Sequence, residues 1–497
     1  MLDQRKATPK NLKKNFNTKA GRTGPEATAA RAPGSTFARL EARLFALFVA
    51  APQQPFPRIF RMPCPSFTVR GPEDFGPIRA MLAGREEAAG DAAQKVERIL
   101  ADVRQRGDEA LVDFTSRFDC TTFDAACLRV APADIAAGLA SIPEADAAVI
   151  AEAADNIRAF HAAQKENSWW VPSPDGTMLG QIVTPVDAAG CYVPGGRGGE
   201  TPLISSLLMN AIPAQVAGVP RIVAVSPPRA DGSLNPYILA AAAICGIEEV
   251  YRVGSAWAIA ALAYGTASIA PVDVVVGPGN IYVTTAKRLL IGTIGIDMIA
   301  GPSEIAILAD GSANPEWLAA DMLSQAEHDP MAAAICLSTD AALLEEVCNE
   351  LKRQLALLPR NEIAATSLGR FGALVAVPDL EVGMALINAI APEHFELCVA
   401  DPWALVGKVR HAGAVFMGHH CPEPVGDYFA GPNHVLPTMG TARFSSALSV
   451  ATFTKKTSLI AAAPGYVSAH GAKIARLARL ENLEAHARSV ECRLKKA

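Results

Sequence analysis

The chain has 497 residues, half of them hydrophobic and 19% charged, which is too long for one core and apolar enough to fill two or more. No run approaches the roughly 18 apolar residues of a membrane span; the nearest, LFALFVAAP at 44–52, is far too short. The formal net charge is −5, yet residues 1–61 hold twelve Lys or Arg against three Asp or Glu, leaving −14 on the remainder and no basic face for nucleic acid.

That basic arm reads as a disordered or spurious extension, with a transit peptide or a functional basic tail as alternatives. Without a transit peptide the expected location is cytoplasmic; with one, an organelle. Met62 opens MPCPSFTVRGPEDF, which looks like the start of a folded protein. The ten cysteines are scattered with no CxxC pair, which suits a reducing compartment and buried thiols.

From about 75 to 165, apolar residues recur at intervals of three and four, as in EEAAGDAAQKVERILADVRQRGDEALVDFTSRFD, and predict helices. From Gln181 strands and helices alternate. QIVTPVDAAGCYVPGG ends in a turn, and TPLISSLLMNAIPAQVAG is a helix with Pro202 in its first turn. The strands RIVAVSPP, EEVYRVGS and VDVVVGPGN lead into the helices NPYILAAAAICGI, AWAIAALAYG and YVTTAKRLLIG. Val/Ile runs between helices are the pattern of a parallel sheet covered on both faces. A second set follows: the strand IAILAD, the helix PEWLAADMLSQAEHD capped by Asn314 with Pro315 at its first position, and the strands AAAICLST, GALVAV and AVFMG. There is no internal sequence repeat, although two α/β sets suggest an architectural duplication. The tail from Gly471 is expected to be one charged amphipathic helix.

Four places carry residue types suited to chemistry. In SQAEH, Gln325 and His328 lie three apart on one helix face; zinc favours His but takes Gln poorly, and a capped helix end is the plain alternative. In APEHF, Glu393 and His394 sit in an expected loop, an acid beside an imidazole that titrates near neutrality. GDYFAGPNHVLPT places Asp427 and His434 in a turn-rich loop shaped for a site rather than a core. In the tail, His486 follows Glu481 by five residues on a polar helix, where a solvated histidine is the plainer reading. His419, His420 and Cys421 resemble a metal cluster, but adjacent side chains converge poorly on one ion. The PGGRGGE glycines match no phosphate-loop spacing, whereas GPGN follows a strand and opens a helix, where amides and the helix dipole favour anions.

In this order, YVPGG, LMNAIPAQVAG, GPGN, AGPSE, LSQAEH, PEH, GDYxxGxNHVLPT and the terminal ExxxxH resemble the histidinol dehydrogenase family over residues 70–490. The resemblance implies two Rossmann-like parallel-sheet domains with helical N-terminal and C-terminal extensions, in an intertwined homodimer. It divides the chain into the extension 1–61; a helical region and start of the first α/β domain, 62–191; a second, nucleotide-binding domain, 192–302; a continuation of the first, 303–447, with the zinc and catalytic residues; and a dimerisation tail, 448–497.

The resemblance further implies zinc-dependent oxidation of L-histidinol, through bound L-histidinaldehyde, to L-histidine with reduction of two NAD, the last step of histidine biosynthesis. One zinc ion per subunit would be held by Gln325, His328, Asp427 and His486, the last from the partner subunit. Glu393 and His394 would be the acid/base pair, and Ser303, His434 and Glu481 would join the other site residues in binding substrate. Tyr192 and Asn280 match cofactor contacts, as does Trp257, although relatives carry glutamine there and a stacked indole would have to replace it. NAD rests on the resemblance alone, since the strand tip before Arg229 lacks an acidic residue for a ribose diol. The alternatives are a dehydrogenase of another polar alcohol such as a sulfonated diol, a zinc hydrolase, and a non-catalytic relative.

Overall fold

The computed structural model describes residues 63–85, 90–196 and 202–494. The extension 1–61 and the glycines of PGGRGGE beyond Gly196 lie outside the described residues.

The chain begins with a short strand, β1 (Ser66–Thr68), and a helix Gly76–Ala83, then runs through four helices, Gly90–Arg106, Asp108–Phe118, Pro132–Ser141 and Glu144–Ala162. The amphipathic stretch is therefore helical as its spacing requires, but it breaks at Gly107, whose φ of +57° suits a residue without a side chain. Next come β2 (Trp169–Pro172) and β3 (Met178–Pro185), then β4 (Ala188–Tyr192), β5 (Arg221–Ser226), β6 (Glu249–Arg252), β7 (Val274–Val276) and β8 (Gly295–Ile296). The second series is β9 (Glu304–Ala309), β10 (Ala333–Ser338), β11 (Gly372–Ala376), β12 (His394–Cys398) and β13 (Ala414–Met417), and the last strand is β14 (Thr454–Ala461).

Two sheets are wholly parallel. One runs β6-β5-β4-β7-β8, the other β1-β11-β10-β9-β12-β13. Counted from its own first strand, each has the order 3-2-1-4-5 of a mononucleotide-binding half, with β1 added at one edge of the second. The duplication is thus in topology and not in sequence. Each sheet is buried on both faces. Leu318, Met322, Leu343 and Val347 cover one face of the β9 sheet, and Phe75, Ile78, Met384 and Ile387 the other. Each such side chain contributes about 1.5–3 kcal/mol by leaving water, which is why these strands read as unbroken Val/Ile runs. The helix Pro315–Ala326 starts as expected, with the Asn314 side chain accepting from the Glu316 amide at 2.8 Å.

Several expectations need correction. The helical region 90–162 packs on the helices of the β4 sheet and not on those of the β9 sheet, which takes its N-terminal contribution from residues 66–83. The β4 sheet takes in Ala188–Cys191, just ahead of the expected start at 192. QIVTPVDAAGCY supplies two strands, because β3 leaves to form an antiparallel sheet, β14-β3-β2. Pro202 precedes the helix Ile204–Ala217, which instead carries Pro213 within it. The tail is a hairpin of two helices, Pro464–Leu480 and Glu484–Leu494, broken where Asn482 takes φ +61°.

Candidate active site

Glu393 lies in the bend that ends the loop before β12, but His394 is not in a loop. His394 is the first residue of β12, between β9 and β13 and in register with Ile305, and both side chains are buried. The alternation of a strand was hidden because HFELC is buried on both faces. The neighbouring strand holds the pair through one residue. The Glu304 amide donates to Glu393 Oε2 at 2.8 Å, and the Glu304 carbonyl lies 3.0 Å from His394 Nδ1. A carbonyl can only accept, so Nδ1 keeps its proton, and Nε2 is the nitrogen that serves as a base once it is deprotonated. That Nε2 points at Asp427 Oδ1, 3.4 Å away, and has no hydrogen-bond partner.

Asp427 lies in a π-helical turn, Val425–Phe429, a widening common at functional sites. The loop that carries it is tied to the N-terminal helix Glu144–Ala162, where Asn156 donates to the Phe429 carbonyl at 3.0 Å, and to the helix Ile204–Ala217 of the β4 sheet, where Asn433 donates to the Met209 carbonyl at 2.6 Å. This fixes His434, whose Nε2 is buried without a partner. His328 and His434 both feel the charges of Asp427 and His394, and desolvation holds both imidazoles below their usual pKa, although His328 keeps an exposed surface and His434 is half-buried. They are therefore neutral, with a lone pair to offer. Gln325 is fully buried, and neither its Oε1 nor its Nε2 has a partner. Its chain neighbour Ser324 donates to Glu423 Oε2 at 2.9 Å.

The pocket is strongly anionic. Glu423 shares a hydrogen bond with Asp427, and Glu396, on the same strand face as His394, shares one with Asp321. Burial pushes Glu393 up to about 8 and Glu423 up to about 7. Burial also opposes charge on His394, but Glu393, Asp427 and Glu423 outweigh it and lift the imidazole to about 10. Asp427 is driven up by burial and further down by the close approach and charge of His394, so it stays below the usual carboxylate range. Among the described residues, one group of three His, Cys, Asp or Glu has ligand atoms all within 4.8 Å of one another: His394, Glu423 and Asp427. A surplus of buried carboxylates, together with an orphaned buried amide at Gln325, fits a divalent cation.

Glu304, Glu423, Glu396 and Asp321 were missed from sequence. Placing β12 would have revealed Glu396 two residues beyond His394, and the helical spacing of four joins Glu423 to Asp427. Ser303, half-buried, precedes β9 and its carbonyl accepts from Ala333. Glu481 and His486 are exposed on the C-terminal hairpin. They line a cavity of about 570 Å³ to which no residue of the His394 pocket contributes.

The expected cofactor positions lie at the carboxyl ends of the β4 sheet. Tyr192 ends β4, and its buried hydroxyl accepts from the Ser255 amide at 3.2 Å. Gly277, after β7, has φ +118° and leaves no room for a Cβ, which would stand 2.2 Å from the Tyr192 carbonyl. Asn280 caps the helix Ile281–Leu289 through Oδ1, which leaves its exposed amide NH2 for a ligand. Trp257 corrects the sequence reading: its indole packs on Phe114 and Phe118, donates to Thr115 Oγ1 at 3.3 Å and is only 5% exposed, so it belongs to the core and offers no nucleotide a face.

A family model described as histidinol dehydrogenase matches residues 83–494. The chain belongs to the histidinol dehydrogenase family. It is thus an oxidoreductase by family. It is 61% identical over 433 residues to the histidinol dehydrogenase of Oleidesulfovibrio alaskensis, a match covering 87% of this chain and 100% of that one. The histidinol dehydrogenase of Nitratidesulfovibrio vulgaris is also 61% identical, with 87% and 99% covered. The crystal structure of histidinol dehydrogenase from Elizabethkingia anophelis superposes with a TM-score of 0.83 at 35% identity, over 88% of this chain and 99% of that one. Among the described residues no helix is long and apolar enough to cross a membrane.

Proposed function

We propose that the chain oxidises L-histidinol to L-histidine through a bound L-histidinaldehyde, reducing two NAD, as the last step of histidine biosynthesis. One observation carries this reading: Glu393 and His394 hang from the backbone of a single residue, Glu304, beside Asp427. A base and a water-activating carboxyl are what an alcohol oxidation followed by an aldehyde oxidation requires.

His394 Nε2 takes the alcohol proton in the first step and the proton of the hydrated aldehyde in the second. Glu393 takes a proton from the water that adds to the aldehyde. Tyr192 and Asn280 would contact NAD, which when bound would supply the hydride acceptor for both steps. Gln325, His328, Asp427 and His486 of the partner subunit are the proposed zinc ligands, and zinc when bound grips and orients the substrate's donor atoms. Ser303, His434 and Glu481 complete the substrate contacts. A homodimer is supported by the C-terminal hairpin, whose helices pack mainly on one another and leave Leu477 and Leu480 exposed, and by the bare Trp169, Trp170 and Ile460 of the antiparallel sheet. The ten thiols are all free, which suits the cytoplasm.

The direct test is product analysis: two NADH and one L-histidine per L-histidinol. Turnover of a sulfonated diol with none of histidinol, or no NADH at all, would sink the reading. A chelator should abolish activity and zinc restore it; a metal-free preparation at full rate removes zinc from the account.

Glu393→Gln should slow the aldehyde step more than the alcohol step. A base must be deprotonated, and burial pushes Glu393 up to about 8, so wild-type aldehyde oxidation should show an acid limb at that value, below a further rise toward about 10 as His394 loses its proton. The variant should lose this acid limb. Single-turnover rates with each substrate across pH 6–10 check it (a range spanning about two units either side of the shifted value), and equal slowing of both steps would assign Glu393 a different role.

A further inference from the structure

Beneath the acid/base pair lies a buried ion pair that the mechanism does not use. Arg85 follows the Gly76–Ala83 helix; its Nη2 donates to Glu304 Oε1, and its Nε donates to the Leu82 carbonyl at 3.3 Å. Both charged side chains are almost wholly buried. Glu304 Oε1 also accepts from the Met439 amide at 2.9 Å, next to the loop that bears Asp427 and His434. One residue therefore has its carboxylate anchored to the N-terminal segment and to residue 439, while its amide and carbonyl hold Glu393 and His394.

As a stability device this pair is poor. Arg85 Nη1 and Glu304 Oε2 are buried with no protein partner, and a buried pair recovers its desolvation cost only when the remaining atoms are bonded. A carboxylate beside Glu393 also opposes the ionisation that Glu393 needs. The arrangement makes sense as a fixture. We propose that Arg85 is a positioning residue: through Glu304 it sets where the Glu393 carboxyl and the His394 imidazole stand. The proposal rests on the histidinol reading for the roles of those two groups. Arg85 touches neither of them, so it acts on the rate of the reaction and leaves the proposed zinc and substrate ligands in place.

The test uses full-length Arg85→Met, Arg85→Lys and the double variant Arg85→Met/Glu304→Gln, with kcat and KM measured for histidinol and for histidinaldehyde, beside zinc content and melting temperature. The expected result is a fall in kcat of about 10²-fold, the cost of a displacement near 1 Å, in both steps for Arg85→Met and for the double variant. KM and zinc content should stay near wild type, and Arg85→Lys should recover part of the loss. Removing both charges leaves no uncompensated ion, so the double variant decides the matter if Arg85→Met does not fold. A double variant or an Arg85→Lys variant that melts as wild type does and keeps wild-type kcat in the first case, or that loses zinc and raises KM with kcat intact, overturns the proposal. A wild-type protein that makes no NADH from histidinol overturns the functional reading instead, and this separates the two failures.

Discussion

Replacing His394 with Asn should lower both oxidation steps by about 10²–10⁴-fold, the usual contribution of a well-placed general base, while zinc content holds. Asn can keep the link to the Glu304 carbonyl through its amide NH2, so the strand register of β12 against β9 is preserved and the loss falls on proton transfer. The removed nitrogen is Nε2, which is buried and faces Asp427 without a hydrogen-bond partner. Single-turnover rates of NADH formation from histidinol and from histidinaldehyde, beside zinc analysis, measure the effect. Unequal damage, with one step near wild type, would take away the shared-base role; loss of zinc would make His394 a ligand.

The second large effect is expected at Asp427. Asp427→Asn keeps the shape and removes the charge, so zinc affinity should fall by more than the roughly 10–100-fold typical of losing an outer partner of a ligand, and activity should vanish at ordinary zinc levels. Metal-free stability should fall modestly, because the pairing with His394 that holds Asp427 below the usual carboxylate range is lost, and the relief of crowding offsets only part of this. The substitution relieves crowding among buried carboxyls, because Asp427 adds to the burial that lifts Glu393 and Glu423. His394, freed from one of the charges that raise it, should titrate lower than in the parent. Equilibrium dialysis, calorimetry of the metal-free protein and imidazole NMR report these three quantities. A full complement of tightly held zinc in Asp427→Asn excludes Asp427 as a ligand and leaves the anionic pocket without its proposed purpose.

The topology was largely legible because parallel strands buried on both faces must be written in Val, Ile, Leu and Ala, and both series show it. What failed did so for physical reasons. HFELC carries an acid and an imidazole in the middle of a sheet, so the polar letters that mark its chemistry also disguised it as a loop. β3 was fused with β4 because only two residues, Val186 and Asp187, separate them. The tail hairpin turns on a non-glycine residue in the left-handed region, which no residue type advertises. Motif residues near one another in space were found where they share a helix or a loop, as with Asp427 and His434. Glu304, which binds the pair together, acts through its backbone, and a backbone contact leaves no imprint on residue spacing. Trp257 was misjudged because a substitution against the family pattern invites a ligand-based reason; the aromatic face of Phe114 and Phe118 is the nearer cause.

Because the Glu304 amide is spent on a side chain rather than on the neighbouring strand, its exchange with solvent deuterium reports the pose of Glu393 directly. Elsewhere in β9 an amide exchanges when the ladder opens; this one exchanges when the carboxyl swings away, even with the ladder intact. A single slow proton at the head of a strand thus gives a spectroscopic gauge of how often the site is assembled, readable without substrate and without turnover.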